Sequence, residues 1–344
     1  AVVLSALRPE HLPALVVAPR RVACEVWPTE LRKWRPELSY SLAHGSAAKR
    51  AQALATVADV HIISVDNAAD AIDGPAYATI VLDELSLWKN RNTRRWGTAS
   101  KITAGAPHVW GLTGTPIPKG YIDLWAQIFL IDGGERLGRY ITHYRERFFV
   151  QTPKMVKRSD GSQMQVGSTY ELRDGAAGKI NSRISDIVLA QQIEGRLDLV
   201  RPTTNDVVVP LPPKARRAYE RMRESKAATI GGATFSSATA AVVSNKLAQI
   251  TAGVIYPDDH DMTGEEPVRL HTAKAEAIRE ISEGTGSPLL VFYRYKHERD
   301  LLCATLPEAR SVDEPGVMAE WNRGEVPIML MQPQSAGHGL NLQE

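Results

Sequence analysis

The sequence contains little cysteine and no long apolar run. Its two cysteines, Cys24 and Cys303, are far apart in the 344 residues. They indicate neither a disulfide framework nor a zinc cluster, so we expect two buried thiols. The longest apolar runs, such as Ala14–Ala18 and Ile328–Met331, are far too short to cross a bilayer. Because no basic and then apolar leader opens the chain, we expect a cytoplasmic protein with no membrane partner.

A strong net charge is also missing, since the formal charge at pH 7 is only +2. The overall charge therefore does not indicate a nucleic-acid partner, and any phosphate-binding surface must come from local clusters. Residues 135–158 contain seven Lys or Arg against two acidic residues, and residues 88–101 contain five against none. Such runs are solvated faces about as often as phosphate-binding surfaces, and both interpretations stay open.

Short apolar and β-branched runs alternate with helical patterns along most of the chain. Hydrophobic residues make up 43% and charged residues 23%, as in a globular protein, and the length favours two domains. Helical patterns occupy residues 22–34, 47–58 and 274–283. The alternation predicts an α/β fold with parallel sheets. The predicted strands are residues 14–18, 60–64, 79–82, 109–112, 289–292 and 326–331.

The middle of the chain breaks this alternation. Residues 133–205 combine a basic segment with a polar Gly- and Ser-containing piece at 159–168. We therefore predict an insertion at about 133–180 and a domain boundary near residue 200, which gives domains 1–200 and 201–344. A proline-rich strand and turn at 207–213 and a charged helix at 214–226 would follow the boundary.

Two carboxylates, Asp83 and Glu84, come directly after the predicted strand 79–82. A strand that ends in two carboxylates places them at the carboxyl edge of the sheet, where open α/β sheets bind ligands. In a nucleotide hydrolase, the first carboxylate holds Mg²⁺ through water and the second orients or deprotonates the attacking water. Taken alone, such a pair is more often a helix cap or a solvated turn.

A compact turn at residues 111–116 follows the next predicted strand and contains two glycines, two threonines and a proline. An ordinary strand-to-helix loop could have this composition. Its position some thirty residues after Asp83 and Glu84 makes a shared site at the sheet edge the better interpretation.

Four segments together resemble the motifs of superfamily-two motor proteins of the Swi/Snf-like helicase and translocase group, in order and spacing. The resemblance implies two RecA-like lobes and a DNA-dependent ATPase that uses ATP and Mg²⁺ to move on duplex DNA. The bacterial cytoplasm, for a bacterial or viral protein, would be its location. The segments are residues 16–21, 81–86, 111–116 and 335–342, supported by 247–250 and 273–274.

The resemblance also implies a role for individual residues of the first domain. Asp83 would hold Mg²⁺ through water, and Glu84 would act on the attacking water. Residues 85–86, Leu-Ser, depart from the commoner Ala-His, which bears on coupling rather than on the acid pair. Arg20 would contact a nucleic-acid phosphate at a helix start, although it could simply solubilise the helix. The turn residues expected to couple the nucleotide site to nucleic acid are Thr113, Gly114 and Thr115.

In the second domain, nucleic-acid contact or coupling is expected at Tyr293, Lys296 and Ser335. Gly337, Gly339 and Asn341 would bind the nucleotide, because glycines allow the main chain to approach phosphate or ribose. Trp88 and Trp96 could stack on nucleic acid beside nearby basic residues, but an amphipathic helix that packs its tryptophans inward is at least as plausible. Those basic residues are Lys89, Arg91, Arg94 and Arg95.

A phosphate-binding loop, Gly-x-x-x-x-Gly-Lys-Ser/Thr, does not occur in the 344 residues. The similar string at 175–180 has the wrong glycine spacing and Ile180 in place of the hydroxyl residue. The arginine-bearing motif expected after residue 344 is likewise not in the sequence. We therefore expect a chain truncated at both ends and inactive as given, cut from a parent ATPase. The alternative is a catalytically inactive DNA-binding or assembly module that retains the motor fold.

Overall fold

The computed structural model describes residues 2–114, 120–157, 163–190, 203–225, 227–230, 233–236, 240–256 and 266–333. The chain divides into two compact units, Ala1–Asp198 and Leu199–Glu344. Within the described ranges, no helix is long and apolar enough to cross a membrane.

A five-stranded, fully parallel sheet forms the centre of the first unit. Its strands are β1 (Ala14–Ala18), β2 (Tyr40–Ala43), β3 (Val60–Ser64), β4 (Thr79–Asp83) and β5 (His108–Leu112). Their order in the sheet is β2-β3-β1-β4-β5. All five residues of β1 are buried, as expected where helices cover both faces of a parallel sheet.

The side chains of this sheet alternate between two cores. Leu15, Val17 and Leu82 belong to one buried cluster, while Val16 and Val81 belong to the other. Successive residues of a strand point to opposite faces, so one apolar run supplies both cores.

Helices connect these strands, and two of them, α3 (Ala47–Ala55) and α4 (Arg94–Thr103), begin at side-chain caps. Ser46 accepts a hydrogen bond from the Lys49 amide, and Thr93 accepts one from the Trp96 amide, so each hydroxyl satisfies a first-turn donor. A π-helical segment, Val22–Val26, runs directly into α2. The helices are α1 (Val2–Ala6), α2 (Trp27–Trp34), α3 (Ala47–Ala55), α4 (Arg94–Thr103), α5 (Leu124–Asp132), α6 (Ile141–Phe148) and α7 (Ala176–Ile184); short 3-10 turns occupy Pro9–His11, Val65–Ala71, Leu85–Trp88 and Tyr121–Asp123.

The predicted insertion contains a β-hairpin besides its helices. β6 (Phe149–Lys157) pairs antiparallel with β7 (Gln163–Leu172), between α6 and α7. Apolar residues such as Val150 and Met155 are about half exposed on this hairpin, at 47% and 48%. Since the hairpin buries few side chains, it has no clean apolar alternation in the sequence, which is why it was not predicted.

In the second unit, a three-stranded parallel sheet has the order β12-β14-β13. Two antiparallel pairs accompany it, β8 (Ala227–Ile230) with β9 (Ala233–Ser236) and β10 (Val254–Ile255) with β11 (Val268–Arg269). The parallel strands are β12 (Leu289–Phe292), β13 (Ala309–Ser311) and β14 (Ile328–Met331), and the helices are α8 (Pro213–Ser225), α9 (Ala240–Ala252), α10 (Ala273–Thr285), α11 (Lys296–Thr305) and α12 (Val317–Trp321).

The α/β class with parallel sheets is confirmed, and each of the six predicted strands is present with small shifts at its ends. The strand predicted within 207–213 is wrong, because residues 203–212 have no regular secondary structure. The prolines there have no N–H to donate to a sheet. Both thiols, Cys24 and Cys303, are half-buried rather than fully buried.

Candidate nucleotide site at the carboxyl edge of the first sheet

Asp83 is the last residue of β4, an interior strand that pairs with β1 on one side and β5 on the other. Its partner in β5 is Leu112, so the turn that follows β5 starts beside the acid pair. The structure thus brings Asp83, Glu84 and Thr113 together at the carboxyl edge, as the order of the elements predicted.

Two donors hold the half-buried Asp83 carboxylate. The Trp27 indole N–H donates to Oδ2 at 2.8 Å, and the Glu84 amide donates to Oδ1 at 2.9 Å. Trp27 is the first residue of α2, and its side chain is only 7% exposed. The plane of the carboxylate is therefore set by one neighbour in sequence and one 56 residues away.

Glu84 has a left-handed backbone, with φ 58° and ψ 59°. Among the described residues it is the single non-glycine with a positive φ. Such a conformation costs about 1 to 3 kcal/mol and persists only where the surroundings enforce it. Here the Glu84 carbonyl accepts from the Leu87 amide at 2.9 Å and starts the 3-10 turn Leu85–Trp88.

Two hydroxyls donate to the same oxygen of the Glu84 side chain. Ser86 Oγ lies 2.5 Å from Oε1, and Thr113 Oγ1 lies 3.4 Å from it. The first contact is short and local, whereas the second links the acid pair to the turn after β5. A displacement of Thr113 would therefore change the hydrogen bonding of the Glu84 carboxylate.

Ser86 is a functional candidate that the sequence interpretation missed. It was noted only as a departure from the commoner motif, yet it is 8% exposed and its hydroxyl binds Glu84. Its position two residues after Glu84 was the available signal. A left-handed residue makes the chain turn tightly enough for that contact, and the sequence alone does not reveal such a conformation.

Close packing explains why the penultimate residue of β5 is the glycine Gly111. A Cβ atom at Gly111 would lie 2.6 Å from Leu85 Cδ2 and 3.2 Å from Ile131 Cδ1. Leu85, which directly follows the acid pair, is 5% exposed in the core. Gly111 therefore provides the space that lets the segment after Glu84 pack against the sheet.

Arg20 lies at the same edge of the sheet, two residues after the end of β1. It begins the helical segment and is exposed to solvent. Burial raises the pKa of the Cys24 thiol one turn further on, and the positive charge of Arg20 opposes that rise. The expected phosphate contact of Arg20 stays a prediction.

The described candidates of the second unit differ in exposure. Lys296 begins α11 and is exposed, whereas Tyr293 is 4% exposed and packs in the hydrophobic core. Burial raises the pKa of the Tyr293 phenol. The burial of this ring does not favour its predicted contact with nucleic acid.

Of the other predicted site residues, Gly114 in the first unit is exposed to solvent. Five more lie outside the residues that the structure describes, namely Thr115, Ser335, Gly337, Gly339 and Asn341.

The two tryptophans of the basic run 88–101 point into the protein. Trp88 is 1% exposed, and Trp96 donates its indole N–H to the Ala126 carbonyl at 2.9 Å. The inward-packing alternative accounts for these two side chains. Nearby, Arg91 and Arg94 are exposed, and Arg95 forms an ion pair with Asp66.

The donor chemistry of the acid pair fits Mg²⁺, which prefers carboxylate oxygen and keeps several waters. Over the described ranges, no group of three or more His, Cys, Asp and Glu side chains is placed to hold a metal ion. At this edge of the sheet, Asp83 is the residue that could hold the ion through water.

The first unit is thus a parallel α/β sheet with an acid pair at its carboxyl edge, the edge at which open α/β sheets bind ligands. The chain belongs to the SNF2-related domain family, whose model matches residues 5–252. It is 35% identical to protein p41 of Acyrthosiphon pisum secondary endosymbiont phage 1, over 97% of this chain and 73% of that protein.

More distant similarities extend to animals and archaea. The chain is 24% identical to the SWI/SNF-related matrix-associated actin-dependent regulator of chromatin subfamily A-like protein 1 of Xenopus tropicalis, over 89% of this chain and 30% of that protein. Its structure resembles the Sulfolobus solfataricus SWI2/SNF2 ATPase core in complex with dsDNA, with 16% identity and a TM-score of 0.45, over 94% of this chain and 68% of that one. The structure of the Sulfolobus solfataricus SWI2/SNF2 ATPase core domain gives 17% identity and a TM-score of 0.41, over 94% of this chain and 66% of that one.

Proposed function

We propose that this chain is part of a DNA-dependent ATPase that couples ATP hydrolysis to movement on duplex DNA. One observation carries the proposal: Asp83 and Glu84 stand at the carboxyl edge of a parallel sheet, each held by specific donors, in a member of the SNF2-related family. The whole protein's substrates and partners belong to the same proposal.

In this proposal the two carboxylates have separate tasks. Asp83 would hold Mg²⁺ through water, while Glu84 would orient the attacking water and accept its proton. Mg²⁺, when bound, neutralises charge on the phosphates. The Ser86 and Thr113 hydroxyls hold the Glu84 carboxylate in place through Oε1.

The Thr113 contact also supports the proposed coupling. Since its hydroxyl binds Glu84, a shift of Thr113 on DNA binding would change the position of the carboxylate that acts on water. Arg20 and Lys296 are the proposed contacts to the DNA backbone, because both are exposed cations near a strand end. Nucleotide contacts are proposed for Gly337, Gly339 and Asn341, and coupling for Ser335.

The location proposed for this activity is the bacterial cytoplasm, in a bacterium or a phage-infected cell. The similarity to a phage protein supports it.

Exchange of each carboxylate for its amide tests the proposal in the full-length natural protein. We expect Asp83→Asn and Glu84→Gln each to lower duplex-DNA-stimulated phosphate release, with a loss of about 10² to 10⁴ for Glu84→Gln. Fluorescence anisotropy should show unchanged binding to duplex DNA, because neither carboxylate contacts DNA in the proposal.

Asp73→Asn is the matched control, since Asp73 is an exposed carboxylate that precedes β4 instead of following it. It should hydrolyse ATP like the wild type. If the wild type binds duplex DNA but releases no phosphate above the Asp83→Asn background, the ATPase proposal is wrong and the inactive DNA-binding module is the better description.

A further inference from the structure

The Trp27 side chain has only one polar atom, the indole nitrogen, and this atom donates to Asp83 Oδ2 at 2.8 Å. The side chain is 7% exposed, and its rings belong to the buried cluster on one face of the sheet, beside Val16 and Val81. A buried indole N–H needs an acceptor. Here the acceptor is the Asp83 carboxylate, for which we propose a role in Mg²⁺ binding, and not a main-chain carbonyl.

The local backbone at Trp27 is unusual. Val22–Val26 is a π-helical segment, and the Trp27 amide donates to the Val22 carbonyl, five residues earlier. The wider turn shifts the face of the following helix by one residue, or by about 100° of rotation. Such segments occur frequently at functional sites, and this one decides which side chain of α2 faces Asp83.

We propose that Trp27 is a positioning residue for Asp83, which fixes the carboxylate in the orientation that binds Mg²⁺ waters. The inference rests on the proposed ATPase function. The indole holds Oδ2 and the Glu84 amide holds Oδ1, so the carboxylate cannot rotate about its own axis without loss of both bonds.

The expected consequence is a metal-binding defect in Trp27→Phe, which removes the donor and keeps an aromatic ring. Loss of a residue that orients a metal ligand typically lowers metal affinity or activity by about 10-fold to 100-fold. We expect the Mg²⁺ concentration for half-maximal ATP hydrolysis to rise within this range in the full-length protein. Mn²⁺ binding in the presence of ATP, followed by electron paramagnetic resonance, should weaken in parallel without any need for turnover.

Trp125→Phe is a matched control in the same unit. The Trp125 side chain is 2% exposed, and its indole donates to the Gly138 main-chain carbonyl at 2.8 Å. Trp125→Phe removes the same atoms as Trp27→Phe and a hydrogen bond of the same length, but it leaves the bond to Asp83 intact. It should bind Mn²⁺ like the wild type.

If Trp27→Phe does not fold, a benzothienylalanine at position 27 keeps the shape of the side chain and lacks the N–H. It should show the same metal defect. In addition, the Trp27 indole proton resonance should shift in Asp83→Asn, while that of Trp125 stays in place.

Different results would overturn different claims. Wild-type Mn²⁺ affinity in both the phenylalanine and the benzothienylalanine variants would overturn the role of Trp27 and leave the ATPase proposal standing. An equal defect in Trp125→Phe would show a general packing effect and would also overturn it. Absence of any Asp83-dependent metal binding in the wild type would instead overturn the proposed function itself.

Discussion

At the scale of single residues, the carboxyl edge of the first sheet combines strain with close packing. Glu84 takes a left-handed backbone that most residues avoid, and hydrogen bonds through its carbonyl and side chain accompany it. The strain is retained where the carboxylate has a proposed task, as is common at functional sites. Leu85 next to it is anchored in the core, so the site and the core share one segment.

Gly111→Ala should destabilise the first unit. The new methyl group would lie 2.6 Å from Leu85 Cδ2, a distance at which atoms must move. Overpacking of this kind typically costs about 1 to 3 kcal/mol. Urea unfolding followed by circular dichroism would measure it, and a midpoint equal to that of the wild type would contradict the packing account.

Gly97→Ala provides the contrast within this prediction. Gly97 lies inside α4, and a Cβ atom there would have nothing within 4 Å. Alanine in a helix interior is favoured over glycine by roughly 0.5 to 1 kcal/mol, so the same exchange should stabilise the unit slightly.

At the scale of elements, a bidentate ion pair links the segment after α5 to the segment after α7. Arg136 donates from Nε to Asp186 Oδ1 at 2.9 Å and from Nη2 to Oδ2 at 2.7 Å. Planar forks of this type are the more specific form of ion pair. The hydrogen bond from Arg136 lowers the pKa of the Asp186 carboxyl.

Asp186→Asn should lower the thermal midpoint at pH 7, and the deficit should depend on pH. Because the pKa of Asp186 is lower in the folded than in the unfolded state, its contribution is complete above the unfolded pKa of about 3.9. It is then lost as the pH falls through the folded value. Differential scanning calorimetry from pH 7 to 3 should show the two proteins converging at the acid end.

Added salt and a second variant test whether the loss of the Arg136–Asp186 ion pair causes this deficit. Asp186 is largely exposed, so added salt should also reduce the difference. Glu171→Gln, at an exposed position on β7, should show no comparable deficit. A pH-independent deficit in Asp186→Asn would argue against the ion pair as its cause.

At the scale of the whole molecule, each hydrophobic core cluster among the described residues lies within one of the two units. The three clusters of the first unit use residues from Val3 to Ile187, and those of the second use residues from Leu211 to Met331. A unit that contains its own cores can fold by itself.

We therefore expect residues 1–198 alone to unfold cooperatively, with a dispersed amide spectrum. Residues 1–123 should not, because they lack α5, which supplies Leu130 to the sheet core and the Ala126 carbonyl to Trp96. Thermal melts at 222 nm would compare the two fragments. A gradual, non-cooperative melt of residues 1–198 would contradict the independence of the first unit.

The positions of the principal strands along the chain were predictable from the sequence, because burial on both faces of a parallel sheet leaves short apolar runs. The order of the strands within the first sheet was not predicted. β2 and β13 escaped prediction since they are short and carry polar residues, as in Ala309–Ser311. The position of Asp83 at the carboxyl edge followed from strand direction alone.

Only the tertiary structure decided what holds the acid pair. The Trp27 to Asp83 bond joins residues 56 apart, and the Thr113 to Glu84 bond joins residues 29 apart. Hydrophobic periodicity predicts which side chains are buried, but not which of them are in contact with each other. Such meetings depend on the packing of α2 against the sheet and on the pairing of β4 with β5, which form only when the chain is folded.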